Sequence, residues 1–199
     1  MKGISIDKKS ESITYKNIKE LAEIINSLNQ NFVNQITISA DFICNSLKSG
    51  GTIFLCGNGG SAADCQHFSS ELIGKFNKER IPLRAISLTT DTSVLTNISN
   101  DFSYDLIFSR QLEALAREGD VLISISTSGE SSNVINAIYK AKELKLKTVS
   151  ILGKDGGRAL KISDNYILVP SYSTARIQEI HALTEHIICE LIEEQLGLK

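Results

Sequence analysis

The sequence predicts an α/β fold: a three-layer, doubly wound, parallel five-stranded sheet with a helical appendage at its N-terminus. Three observations predict it. From Thr52 onward, short β-branched apolar runs alternate with amphipathic stretches of helical period, the pattern of a parallel sheet covered on both faces. Before it, from Tyr15 to Leu47, the period is helical. Finally, two loops rich in glycine or hydroxyls each follow a strand and open a helix, where ligands sit in such folds.

Residues 1–13 are polar and read as loosely held. From Tyr15 to Leu47, Ile18, Leu21, Ala22, Ile25 and Leu28 recur at three and four, and Val33, Ile36, Ile38, Phe42 and Ile43 continue the stripe. That is too long for one uncapped helix, so two are expected, with a break near Asn29–Asn31 and a stop at Gly50-Gly51. The expected strands are Thr52–Cys56, Leu83–Leu88, Val121–Ile125, Thr148–Leu152 and Tyr166–Val169. Helices are expected near Ser61–Lys75, Thr92–Asn100, Leu106–Glu118 and Ser132–Leu146, with a last one from about Thr174 to Leu196. Asp155-Gly156-Gly157 reads as a plain turn. The division is therefore residues 1–50, two helices available for oligomerisation, and residues 51–199, the sheet domain.

The chain has 199 residues, enough for one domain that buries roughly 70% of its unfolded surface. Its formal net charge of -2 and the lack of a basic patch do not favour nucleic acid as a partner. No apolar run reaches the roughly 18 residues that span a bilayer, so no membrane partner is expected. The start, MKGISIDKKSES, lacks the apolar centre of a signal peptide, and a cytoplasmic address is expected. Cys44, Cys56, Cys65 and Cys189 form no C-x-x-C pair and read as free thiols, with Cys56 and Cys189 in the core.

The first loop, Gly57-Asn58-Gly59-Gly60-Ser61-Ala62, fits G-x-G-x-x-A. A dinucleotide site also needs an acid roughly 20 residues on, and the strand-end candidate Asp91 comes too late. The simpler meaning is a tight turn whose backbone N–H groups can approach a ligand, with Ser61 at a helix N-cap. The second loop, Ser126-Thr127-Ser128-Gly129-Glu130-Ser131-Ser132, has five hydroxyls where one would cap a helix. Free N–H groups and hydroxyls at a helix start suit phosphate. There is no G-K-[ST], so a nucleotide P-loop is excluded. A sugar phosphate fits.

These two loops, in this order, resemble the sugar isomerase (SIS) domain family. CGNGGSAADCQHFSSELIG, SNDF, ISTSGESSNV, LGKDGG and RIQEIHALTEH together resemble its phosphoheptose isomerase branch, from about Leu21 to the C-terminus. The resemblance implies conversion of sedoheptulose 7-phosphate to D-glycero-D-manno-heptose 7-phosphate, the entry to heptose units of lipopolysaccharide and some capsules. It implies a flavodoxin-like or Rossmann-like sheet and a homotetramer. It places phosphate contacts on Ser126, Thr127, Ser128 and Ser131, with Ser61 close by. It places sugar contacts on Asn58, Gly59, Gly60, Asn100, Asp101 and Gln178. It implies one zinc ion per subunit at His67, Glu71, Gln178 and His186, and Glu71 with His186 as the acid/base pair, which puts Glu71 against the substrate as well.

The chemistry is compatible with these residue types. Aldose–ketose isomerisation moves a proton between C1 and C2 through an enediolate, which needs a base and a donor or cation at the oxygens. A carboxylate and a histidine meet both needs, and zinc can act as a Lewis acid. His67 and Glu71 are four apart and share a helix face. Gln178 and His186 are eight apart, about 12 Å along a helix axis. His181, three from Gln178, is a rival to His186 on helix geometry, and a neighbouring subunit could supply a ligand instead. Two other functions compete: a non-catalytic SIS-domain regulator that binds a replication initiator protein, and an isomerase for another sugar phosphate.

Overall fold

The computed structural model describes residues 7–197; the rest of the polar N-terminal stretch and the last two residues lie outside it. Helix α1 (Lys8–Ser27) starts seven residues before Tyr15, because Asp7 caps it by accepting the N–H of Ser10. The break to α2 (Gln30–Lys48) falls at Asn29, whose side chain accepts the N–H of Phe32. The sheet then follows as β1 (Ile53–Gly57), β2 (Ala85–Ser87), β3 (Val121–Ser126), β4 (Lys147–Leu152) and β5 (Asn165–Leu168). Between the strands run α3 (Gly60–Ile73), α4 (Thr92–Asp101), α5 (Ser109–Leu115), α6 (Ser132–Glu143) and α7 (Gly157–Ile162). Helix α8 (Thr174–Gln195) closes the chain.

All strands are parallel, in the order β2-β1-β3-β4-β5. The doubly wound five-stranded sheet is therefore as expected. Alternating side chains feed two cores. Ile53, Leu55, Ile123, Ile125, Val149 and Ile151 pack against α2, α3 and α8. Phe54, Cys56, Leu122 and Leu152 pack against α4, α5, α6 and α7. Strands apolar on both faces read as continuous runs, which is why their positions were legible. The four cysteines are free and buried. Among the described residues no helix is long and apolar enough to cross a membrane.

Some elements differ from expectation. β2 is three residues rather than six; it is an edge strand paired only with β1, and Ile86 faces out. α3 stops at Ile73 because Gly74 closes it, its N–H bonding to the Ser70 carbonyl. The stretch Leu106–Glu118 is not one helix. A 3₁₀ turn over Tyr104–Leu106, capped by the Ser103 hydroxyl, precedes α5. The Asp120 carboxylate then accepts the N–H groups of Arg117 and Thr52, which draws the chain out of the helix and into β3. Asp155-Gly156-Gly157 is more than a turn, since it starts α7.

α2 belongs to the core through Phe32, Ile36 and Ile43. α1 buries no residue within the chain. It is tied to the rest by Leu21 and Ile24, which pack partly buried against the core, and by Arg176 on α8, which donates to the Asn17 carbonyl at 2.7 Å while paired with Glu179 at 2.6 Å.

Candidate active site

The chain after β1 passes into α3 on one face of the sheet, and the chain after adjacent β3 passes into α6 on the other. The crevice this opens at the strand ends is where doubly wound sheets hold ligands. Both sequence motifs line it. The N-cap of α3 is Gly59, not Ser61, and Ser61 is buried in the first helical turn. Neither Gly59 nor Ser131, the N-cap of α6, makes a side-chain capping bond. Two helix starts thus keep N–H groups without side-chain caps, which favours an anion. In the second loop the Ser126 hydroxyl accepts the Gly129 N–H at 3.0 Å, and the Ser128 hydroxyl accepts the Glu130 N–H at 3.3 Å. These bonds shape the loop. Thr127 is partly exposed beside them, and Ser131 keeps a hydroxyl unspent on its own helix.

Gln178 on α8 lies against Gly60, so closely that a β-carbon there would collide with its amide. A larger residue at position 60 would have to displace the end of the Gln178 side chain, so the glycine lets α8 place that amide directly on the first loop. Asn58 is held by two partners that the sequence did not reveal. Its amide exchanges two hydrogen bonds with that of Asn133, both 2.9 Å, and its oxygen also accepts from the Tyr104 hydroxyl at 2.9 Å. These bonds fix the position of Asn58 in the loop. Asn100 and Asp101 bond to each other at 2.7 Å, and Asn97 completes the carboxylate at 3.0 Å. Within the chain their side chains bond inside α4 and not to the other expected site residues.

The helices α3 and α8 bring His67, Glu71 and His186 together. The two Nε2 atoms face each other at 2.9 Å, with the rings edge to face at 5.1 Å. Glu71 stands at the other side of the His67 ring, 3.8 Å from Nδ1. Phe76 stacks on His186 at 5.5 Å. His181 is wholly buried, and burial pushes its pKa down to about 4. Burial keeps it neutral and away from solvent, whereas His186 is partly exposed. Beside it, burial and the nearby Asp64 charge push Glu185 up to about 9.

The fit to zinc is partial. Two imidazole nitrogens converge at a spacing close to the about 3.3 Å expected of two ligands on one tetrahedral zinc. Glu71 is one turn along the same helix. Gln178, however, is engaged at Gly60, and among the described residues no three His, Cys, Asp or Glu side chains are already gathered as a metal site.

A buried clamp supports the group from behind. Glu193 accepts the backbone N–H groups of Phe76, Asn77 and Lys78 and the Arg80 Nε at 2.9 Å. Burial alone would raise that carboxyl, but these bonds hold it below the usual carboxylate range. Arg80 in turn donates to the carbonyls of Leu72 and Glu71, at 2.9 and 2.6 Å. One ion pair therefore fixes both the end of α3 at Glu71 and the segment carrying Phe76.

A family model for the SIS domain matches residues 16–153. The phosphoheptose isomerase of Campylobacter jejuni subsp. jejuni is 53% identical over 160 residues, covering 80% of this chain and 86% of its own. That of Aquifex aeolicus is 48% identical over 181 residues, covering 91% and 95%. The solved structure of phosphoheptose isomerase GmhA from Neisseria gonorrhoeae superposes with a TM-score of 0.88 at 40% identity, covering 92% of this chain and 98% of that one.

Proposed function

The chain belongs to the SIS domain family, and we propose that it is an aldose–ketose isomerase that converts sedoheptulose 7-phosphate to D-glycero-D-manno-heptose 7-phosphate for heptose biosynthesis. The observation that carries this is the meeting of Glu71 and His67 on α3 with His186 on α8, in a domain where α3 and α6 both start without a side-chain cap at the ends of adjacent strands. A module that only bound a protein partner would have no need of a carboxylate and an imidazole pair at a phosphate-type crevice.

In this reading the phosphate lies on Ser126, Thr127, Ser128 and Ser131, near Ser61. The sugar lies along Asn58, Gly59, Gly60 and Gln178, with Asn100 and Asp101 at its rim. Glu71 as carboxylate takes the proton from C1 and returns it to C2. His186 gives a proton to the C2 oxygen as charge develops there and takes one back from the C1 hydroxyl as the C1 carbonyl forms, which restores it for the next turnover. His67 is turned toward His186 and flanked by Glu71, so it holds both in register. His67, Glu71, Gln178 and His186 are the residues that would hold zinc, which would supply a Lewis acid for the substrate oxygens. The working form would be a cytoplasmic homotetramer, and its product would serve lipopolysaccharide or capsule.

The test is turnover of sedoheptulose 7-phosphate by the parent and by Glu71→Gln. The expected loss in kcat is about 10²- to 10⁴-fold, the usual contribution of a positioned base. Glu71→Gln turning over near the parent rate would remove Glu71 from the base role.

A further inference from the structure

The second loop carries a carboxylate in its middle. Glu130 sits between Ser128 and Ser131, and a negative charge there opposes any anion bound by its neighbours. The structure gives that charge a fixed partner on α7. Arg158 Nε donates to Glu130 Oε2 at 2.7 Å, the Arg158 backbone N–H to Oε1 at 2.7 Å, and Nη2 to the Glu130 carbonyl at 3.0 Å. All three bonds draw Glu130 toward α7. The two backbones are tied as well. Ala159 donates its N–H to the Gly129 carbonyl at 3.0 Å, and a β-carbon on Gly129, whose φ is +65°, would strike the Gly156 carbonyl. Arg158 and Glu130 are both about half exposed, so the pair adds little to stability. Its effect is on the local field and on the loop.

We propose that Arg158 is a positioning residue for the substrate phosphate: it neutralises Glu130 and holds the 126–131 loop, and so favours binding without touching the substrate. This rests on the loop being the phosphate cradle. The experiment compares Arg158→Ala, Glu130→Gln, the double variant and Ser131→Ala. Sedoheptulose 7-phosphate is the substrate and inorganic phosphate the competing anion, each at low and high salt. For Arg158→Ala, KM and the phosphate inhibition constant rise about three- to tenfold at low salt, kcat stays within about twofold, and the rise shrinks as salt screens Glu130. Adding Glu130→Gln to Arg158→Ala restores both constants toward the parent. A double variant as impaired as Arg158→Ala overturns the proposal, because a direct phosphate contact or a lost fold would not be rescued. An unchanged inhibition constant in Arg158→Ala, with a raised one in Ser131→Ala, overturns it while leaving the cradle in place. If neither variant moves that constant, the cradle assignment is wrong and the proposal falls with it.

Discussion

Two histidines three to four helical positions from other polar side chains are common; what sets His186 apart from His181 is depth. His186 is partly open and meets His67 across the helix pair, whereas His181 lies in the core and is held neutral. Proton exchange with a substrate needs access, so the two should fail differently when removed. His186→Ala should lower kcat by about 10²-fold or more with little change in the urea midpoint. His181→Ala should leave kcat largely intact and lower stability by about 2–4 kcal/mol, as a core truncation does. Steady-state kinetics and urea melts on both variants decide it, and a larger kcat loss at position 181 would reverse the assignment. At this scale the sequence was informative where spacing along one helix was enough, as for His67 and Glu71. It was silent where partners lie far apart in the chain. Nothing near Asn58 announces Asn133 or Tyr104, yet those two bond its side chain and fix the loop.

The elements that carry the site are joined by the Arg80–Glu193 clamp, whose side chains are 1% and 2% exposed. A buried pair of this kind contributes little over an apolar replacement, but breaking it leaves an unpaired charge and several orphaned backbone groups. Arg80→Ala should therefore cost about 3–5 kcal/mol of unfolding free energy, measured in urea. A loss within experimental error would show that water replaces the guanidinium freely. The clamp was not legible because residues 80 and 193 lie 113 positions apart in the chain and each looks like an ordinary surface charge. The strands and the long helices were legible, since two-sided apolar runs and 3.6-residue stripes are local signals. Boundaries failed where a side chain far along the chain overrides the local period. Asp120 does this to residues 116–118, and Asp7 extends α1 through a polar stretch with no apolar stripe. α7 was missed because six residues after a glycine turn carry too little pattern to separate helix from loop.

In the whole molecule the unfinished part is α1. Twenty residues long, it buries none of them within the chain, and helices of that kind draw most of their stability from packing on something else. Tyr15, Ile18 and Ile25 lie along one side of it, 66%, 61% and 43% exposed. Single exposed apolar residues need no explanation, but an aligned set on the side of α1 away from Leu21 and Ile24, the residues that touch the core, does. In the tetramer proposed above a second copy of the chain would supply the missing surface, and the same stripe would then be buried symmetrically. Charge placed on that stripe would have to be desolvated on assembly, so Ile18→Asp should separate the copies while leaving the sheet domain folded, because no core residue changes. Light scattering on the parent should give a mass near four chains, and on Ile18→Asp a smaller assembly with an unaltered far-ultraviolet dichroism spectrum of the sheet and remaining helices. A parent that runs as a single chain, or an Ile18→Asp variant that keeps the full assembly at micromolar concentration, would show that α1 is not the surface through which the copies meet.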